Sequence, residues 1–167
     1  MVNGNYYEGE FANNLREGNG YLMYFSTGEK YEGDWKANNK EGYGIFIYAY
    51  GDKYEGTWLN DKKHGSGKLT FADGTVYEGD FNKDKIEGHG LIVYSNNDRY
   101  EGEFVNGMKH GKGIFTFFDG DRYIGMFDED EMSGTGSYYF QNGDSYDGEF
   151  MQGLFHGSGT YTYVSGG

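Results

Sequence analysis

Apolar and polar side chains alternate along this chain in short bursts, and the bursts recur at a fixed interval. Each begins with a tyrosine: Tyr7, Tyr31, Tyr54, Tyr77, Tyr100, Tyr123 and Tyr146, a step of 23 residues after the first. With that tyrosine as position 0, position +2 is always glycine, from Gly9 and Gly33 to Gly148. Position +4 is always aromatic: Phe11, Trp35, Trp58, Phe81, Phe104, Phe127 and Phe150. Positions +1 and +3 are mostly acidic, as in Glu32 and Asp34 or Glu101 and Glu103. A period of two predicts a strand with one packed face and one wet face. Glycines at +11 and +13 then precede a second alternation, apolar at +15 and +17, from Leu22 and Tyr24 to Tyr161 and Tyr163. Each unit is therefore expected to be a pair of strands.

The punctuation supports this. Asp73-Gly74, Asp119-Gly120 and Asn142-Gly143 lie between units, and such pairs flanked by alternating hydrophobics signal tight hairpins. The stretch from +5 to +10 reads as a loop. The first unit is one residue longer and turns at Ser26-Thr27-Gly28, so a bulge or longer loop is expected there. Glycine inside a strand marks the close approach of another group to the backbone. Rings at 0 and +4 are accordingly expected to lie across glycine backbone at +2, +11 and +13. The alternative, glycines serving loops alone, explains +11 better than +2.

Together these predict an all-β fold: an elongated, twisted, single-layer antiparallel meander of hairpins, its units stabilising one another by stacking. Seven units of two strands would span roughly 65 Å. Residues 1–6 read as the remnant of a preceding repeat, because Gly4 matches a turn glycine and Met1-Val2 a strand end. Residues 7–167 are the seven repeats, beginning at 7, 31, 54, 77, 100, 123 and 146. The last stops at Gly166-Gly167, a unit boundary. Neither end carries a polar cap, so the chain reads as cut from a longer protein. If complete, its terminal strands are open edges that invite dimers or end-to-end pairing.

Composition narrows the function. Aromatics make up 20% of the 167 residues, with 31 Gly and no Pro or Cys. That suits flat sheets carrying rings better than a thick aliphatic core. A net charge of −13 argues against nucleic acid and disfavours anionic membranes. Without cysteine there is no disulfide framework and no thiolate nucleophile or ligand. No stretch has membrane-span length or the layout of a signal peptide. The expected setting is cytoplasmic, with cytoskeletal or membrane association open.

The unit resembles the MORN (membrane occupation and recognition nexus) repeat. The resemblance is carried by Tyr54-Glu55-Gly56-Thr57-Trp58 with His64-Gly65-Ser66-Gly67, and by Tyr100-Glu101-Gly102-Glu103-Phe104 with His110-Gly111-Lys112-Gly113. It covers essentially the whole chain. It implies a twisted all-β ribbon with an aromatic-lined groove, acting as a non-catalytic scaffold that binds proteins and, in some members, associates with membranes.

Catalytic and metal chemistry find little support. His64, His110 and His156 share position +10 but in alternate units, ~19 Å apart, too far to share a metal; turn hydrogen bonding is expected instead. Equivalent acids at +1 and +3 lie ~9–10 Å apart, beyond one calcium shell, and read as a solvated face that Lys53, Arg99 and Arg122 partly neutralise. Gly65-Ser66-Gly67-Lys68 lacks the leading Gly and trailing Ser/Thr of a phosphate loop. No cofactor or metal is expected, and no enzyme activity, since an open sheet excludes water poorly.

The candidate surfaces are therefore for partners. A peptide or helix is expected along a groove of Tyr31, Trp35, Tyr54, Trp58, Tyr77, Phe81, Tyr100, Phe104, Tyr123 and Phe127. A second patch arises in unit six, where Ile124 and Met126 replace acids; Tyr139 and Phe118 should face the same way, beside Asp128-Glu129-Asp130-Glu131. Simple drift of one repeat would give the same residues. Two rivals stand beside the protein scaffold. One is binding of anionic phospholipid by Lys62, Lys63, Lys83, Lys85, Lys109 and Lys112; the other is structural self-assembly through open strand ends.

Overall fold

The computed structural model describes residues 4–164; Met1-Val2 and Gly166-Gly167, read above as a strand end and a unit boundary, lie outside the described residues. Among the described residues the fold is all-β: fourteen antiparallel strands whose order in the sheet is their order in the chain. Contacts group them into two units, one reaching Lys85 and one starting at Ile86. The first holds β1 (Asn5–Ala12), β2 (Leu15–Tyr24), β3 (Lys30–Lys36), β4 (Asn39–Ile47), β5 (Lys53–Leu59), β6 (Lys62–Thr70) and β7 (Val76–Asn82). The second holds β8 (Lys85–Val93), β9 (Arg99–Val105), β10 (Met108–Thr116), β11 (Arg122–Asp128), β12 (Glu131–Tyr139), β13 (Ser145–Met151) and β14 (Leu154–Thr162).

Register places the strand glycines side by side. In the first unit Gly33 pairs with Gly44, Gly44 with Gly56, and Gly56 with Gly67. In the second, Gly102 pairs with Gly113, Gly113 with Gly125, and Gly125 with Gly136. A lane without side chains thus runs across the strands on the ring face, and the position-0 tyrosines lie flat on it. A Cβ added at Gly67 would stand 2.5 Å from both Cε2 and Oη of Tyr54. Tyr31, Tyr54, Tyr77, Tyr100 and Tyr123 are fully buried, though the sheet is one layer thick. Each hydroxyl for which a bond is described donates to the carbonyl at +3, as in Tyr54 to Thr57 O (2.9 Å) and Tyr100 to Glu103 O (2.9 Å).

Two expectations are corrected. The glycines at +11 are not under rings. They have positive φ (Gly42 98°, Gly65 77°, Gly111 60°) and sit in a bulge, where the register shifts between Gly56 and Trp58 and at the matching places in other repeats. The +3 side chain covers that bulge: Asp34 Oδ2 accepts from Tyr43 N (2.9 Å), and Glu10 Oε1 from Asn19 N (3.0 Å). These acids are therefore bulge caps as well as a wet face.

The second correction concerns the turns. The tight two-residue turns fall inside each repeat, in the stretch read as a loop. Both residues have positive φ, as in Asn60 (48°) and Asp61 (64°) or Glu129 (46°) and Asp130 (74°), the primed type that matches strand twist. The Asp-Gly pairs between units instead close three-residue loops: Phe71 N donates to Thr75 O (2.8 Å), with Gly74 at φ 93°. The first unit has the longer loop expected, with Tyr24 N donating to Glu29 O (2.9 Å).

The glycine lane makes two kinds of cost separable. Gly67→Ala should lower stability by about 3 kcal/mol or more, because the ring of Tyr54 has nowhere to move. Gly74→Ala, with open space around it but φ 93°, should cost only about 1 kcal/mol. Tyr54→Phe should cost about 1 kcal/mol for the lost hydrogen bond. Urea unfolding midpoints of the three variants would give this order.

Candidate interaction surfaces

The ring face is built on edge-to-face pairs. Each buried tyrosine meets the +4 ring of its own repeat and, along each unit, that of the next: Tyr31 lies 5.1 Å from Trp35 and 5.4 Å from Trp58, and Tyr100 5.2 Å from Phe104 and 4.9 Å from Phe127. The indoles are fixed by Trp35 Nε1 to Gly20 O (3.1 Å) and Trp58 Nε1 to Gly44 O (3.2 Å). The ten rings expected to line a groove do share one face within each unit. They are 0–5% exposed, however, so they are core, and the partly exposed rings of this face are second-strand ones such as Tyr24, Tyr48, Phe115, Phe117, Tyr138 and Phe140, while Phe46 is buried. In the second unit those rings continue from Phe115 to Phe117 (4.6 Å), Tyr138 (5.8 Å), Phe140 (4.7 Å) and Tyr161 (5.5 Å). A concavity of about 320 Å³ opens there, bounded by Phe115, Phe117, Lys109, Asp130 and Met132.

Position +9 decides how one repeat is joined to the next. The second turn residue of a repeat exchanges hydrogen bonds with the +9 backbone of the repeat before it. Asp61 N donates to Lys40 O (3.1 Å) while Lys40 N donates to Asp61 Oδ1 (2.9 Å). Asn38 with Arg16, Asp84 with Lys63 and Asp130 with Lys109 repeat the exchange. The cationic side chains lie over the rings. Arg16 Cζ is 4.2 Å from the Trp35 ring centre, Lys63 Nζ bonds Tyr48 Oη (2.9 Å), and Lys109 Nζ reaches Tyr94 Oη (3.2 Å) and Asp130 Oδ1 (3.0 Å). Where the turn residue is glycine, at Gly107 and Gly153, the preceding +9 residue is Ile86 or Met132 and only the backbone bond is made. This pairing across repeats was legible as a covariation of +9 with the next +7, and it was missed.

It also corrects the lysine set proposed for lipid. The side chains of Lys63 and Lys109 are 14% and 11% exposed and engaged on the ring face. Lys62, Lys83, Lys85 and Lys112 remain exposed, the last on the acidic face. Of the histidines, His110 Nδ1 reaches Asp128 Oδ1 (3.3 Å) on the neighbouring strand instead of its own turn, and His64 Nδ1 is buried without a hydrogen-bond partner among the described residues. Among the described residues no cluster of three or more His, Cys, Asp or Glu could hold a metal. No helix among them is long and apolar enough to cross a membrane.

On the opposite face, Ile114 pairs with Ile124 and Lys112 with Met126. With Glu101, Thr135 and the backbone of Gly102, Gly113 and Gly125 they bound a concavity of about 450 Å³. Ile124 is 37% and Met126 36% exposed. Tyr139 is on the same face but pairs with Arg122 and Ser145, away from this hollow, and Phe118 stands out in a turn.

Burial raises the pKa of the position-0 tyrosines. Tyr31, Tyr54, Tyr77 and Tyr100 are pushed well above the ordinary 10.0, and Tyr123 to about 12, in each case chiefly by loss of solvent around the phenolate. Tyr138 is raised by burial and by its bond to Asp121.

This is a repeat protein whose surfaces, not a cleft, offer the chemistry. The chain belongs to the MORN repeat family, whose model matches residues 7–26, 31–53, 54–76, 77–99, 100–122, 123–145 and 146–167. No curated protein sequence matches it. Among solved structures it is similar to the SAS-4 (dCPAP) TCP domain in complex with a proline-rich motif of Ana2 (dSTIL) of Drosophila melanogaster. That match has 17% identity and a TM-score of 0.53, over 86% of this chain and 76% of that one, and shows a shared fold. The wild-type TCP10 domain of Danio rerio CPAP aligns at 15% identity with a TM-score of 0.43, over 89% and 81%.

Two outcomes follow from these contacts. Because the folded tyrosines hold their protons above the unfolded pKa of 10.0, their contribution is complete below pH 10 and is lost as pH rises through the folded values. Stability should fall above pH 10 by about 1.4 kcal/mol per pH unit for each such tyrosine. Tyrosinate absorbance should appear together with loss of near-ultraviolet circular dichroism. At the repeat junctions, Asp130→Ala should cost about 1–2 kcal/mol through the lost acceptor for Lys109 N and the positive-φ turn. Lys109→Met, which copies Met132, should cost less than about 1 kcal/mol by thermal unfolding.

Proposed function

We propose that this chain is a non-catalytic protein-interaction scaffold that takes an extended segment of a partner protein on its half-exposed ring face. The observation that carries this reading is the unbroken series from Phe115 to Tyr161, rings 4.6–5.8 Å apart in succession, left partly open above a floor already complete. The buried tyrosines do not need those outer rings covered in order to fold, and large apolar surface left open in this way marks contact sites. Rings bordered by Lys109 and Asp130 suit an extended peptide, which aromatic-lined grooves grip with little loss of chain entropy. Membership of the MORN family supports a binding role, and the similarly folded SAS-4 domain was solved in complex with a proline-rich motif of another protein.

Capture from native lysate tests this reading. Wild type, Phe117→Ser with Phe140→Ser, and Ile124→Glu with Met126→Glu are compared, with circular dichroism confirming the fold of each. A protein retained by wild type and reduced at least tenfold in the first double variant is the expected result. Loss only in the second would move the contact to the opposite face. Equal capture by all three, or none by any, would overturn the proposed surface.

A further inference from the structure

On the acidic face of the second unit, two hollows adjoin and share Thr135. The first is the apolar one walled by Ile114, Ile124 and Met126. The second, of about 440 Å³, is lined by Thr135, Ser137, Asp147, Glu149 and Ser158 over the backbone of Gly136 and Gly148. Both lie in one trough, floored by the back of the glycine lane and walled by the +1 and +14 side chains on one side and the +3 and +12 side chains on the other.

The second hollow carries negative charge that no neighbouring cation among the described residues offsets. In two other repeats the +1 acid is neutralised by the residue before position 0, Lys53 to Glu55 (3.0 Å) and Arg99 to Glu101 (3.6 Å). In the last repeat that residue is Ser145, and neither Asp147 nor Glu149 has an ion pair among the described residues. Asp147 takes one hydrogen bond from Ser137 Oγ, and Glu149 Oε2 takes one from Ser158 N (3.4 Å), so each keeps acceptor capacity toward the trough. An apolar socket thus stands beside two uncompensated carboxylates, and the matching ligand has an apolar side chain next to a cation.

Spacing sets the rest. The apolar walls are on β10 and β11 and the carboxylates on β13, two strands away from β11, or ~9–10 Å. A segment crossing these strands cannot join the sheet, whose backbone groups are already paired on both sides. A polyproline II segment needs no such bonds; it rises ~3.1 Å per residue with three residues per turn, so side chains i and i+3 share a face ~9.3 Å apart. We propose that this trough binds an extended peptide of pattern apolar-x-x-Lys/Arg, the apolar side chain seated between Ile124 and Met126 and the cation between Asp147 and Glu149. This rests on the protein-scaffold reading and names a second peptide site on the face opposite the rings.

The probe is the synthetic peptide Pro-Leu-Pro-Pro-Arg-Pro, added to isotope-labelled protein and followed by NMR. Saturable shifts of the Ile124 and Met126 methyls and the Thr135 and Ser137 amides are expected. The apparent Kd should rise at least tenfold when the peptide arginine is replaced by glutamate, when its leucine is replaced by serine, or when the protein carries Asp147→Asn with Glu149→Gln. These isosteric changes keep the hydrogen bonds from Ser137 and Ser158, so the fold should be retained. No shift at millimolar peptide, or binding indifferent to the carboxylate changes, would overturn the proposal. Shifts confined to Phe115 and Phe117 would overturn it too while leaving the ring-face scaffold standing.

Discussion

Everything in this molecule depends on a ring lying against bare backbone. Tyr7, Tyr31, Tyr54, Tyr100, Tyr123 and Tyr146 rest on paired glycines from adjacent strands, where even one added methyl would collide with the ring. That approach lets a sheet one layer thick bury a large side chain completely. It is also where folding gains most, since a buried ring removes much apolar area from water and its hydroxyl is satisfied by the +3 carbonyl. The +4 rings then meet the tyrosines edge to face, which couples each repeat to the next along a unit.

With the inner rings committed to the core, binding falls to what they leave uncovered. On the ring face that is the +15 and +17 aromatics, screened in places by the cations at +9. On the other face it is the trough behind the glycines. The same absence of side chains that admits the tyrosines on one side opens a channel on the other. Its character then follows from the +1, +3, +12 and +14 residues: apolar at Ile114, Ile124 and Met126, acidic at Asp147 and Glu149.

Repeat, strand pairing and inward parity were all readable in the chain, because each rests on spacing alone. The bulge was not. Gly42 and Gly44 look alike in sequence, yet one bends the strand at positive φ and the other lies under Tyr31. Distinguishing them requires the register, in which Gly44 pairs with Gly33 while Gly42 stands beside the shift. The turns misled for a related reason. Asp73-Gly74 is a strong two-residue signal, but with Ala72 it makes a three-residue loop, and Asn60-Asp61, without glycine, takes the tighter turn. The Asp61 carboxylate and N–H are both bound to the Lys40 backbone, and such tertiary bonds override the local preference.

What the sequence determined by itself is the period, the all-β repeat and which residues point inward, since side-chain parity in a strand needs no tertiary information. Only the tertiary structure decided what inward means for each ring. It buried Tyr100 and Phe104 and left Phe115 and Phe117 partly open on the same face. It turned Lys63 and Lys109 from surface charges into partners of Tyr48 and Tyr94. Burial in a one-layer sheet depends on how closely neighbouring strands let a side chain lie on their backbone, and that is a property of register, not of any residue alone.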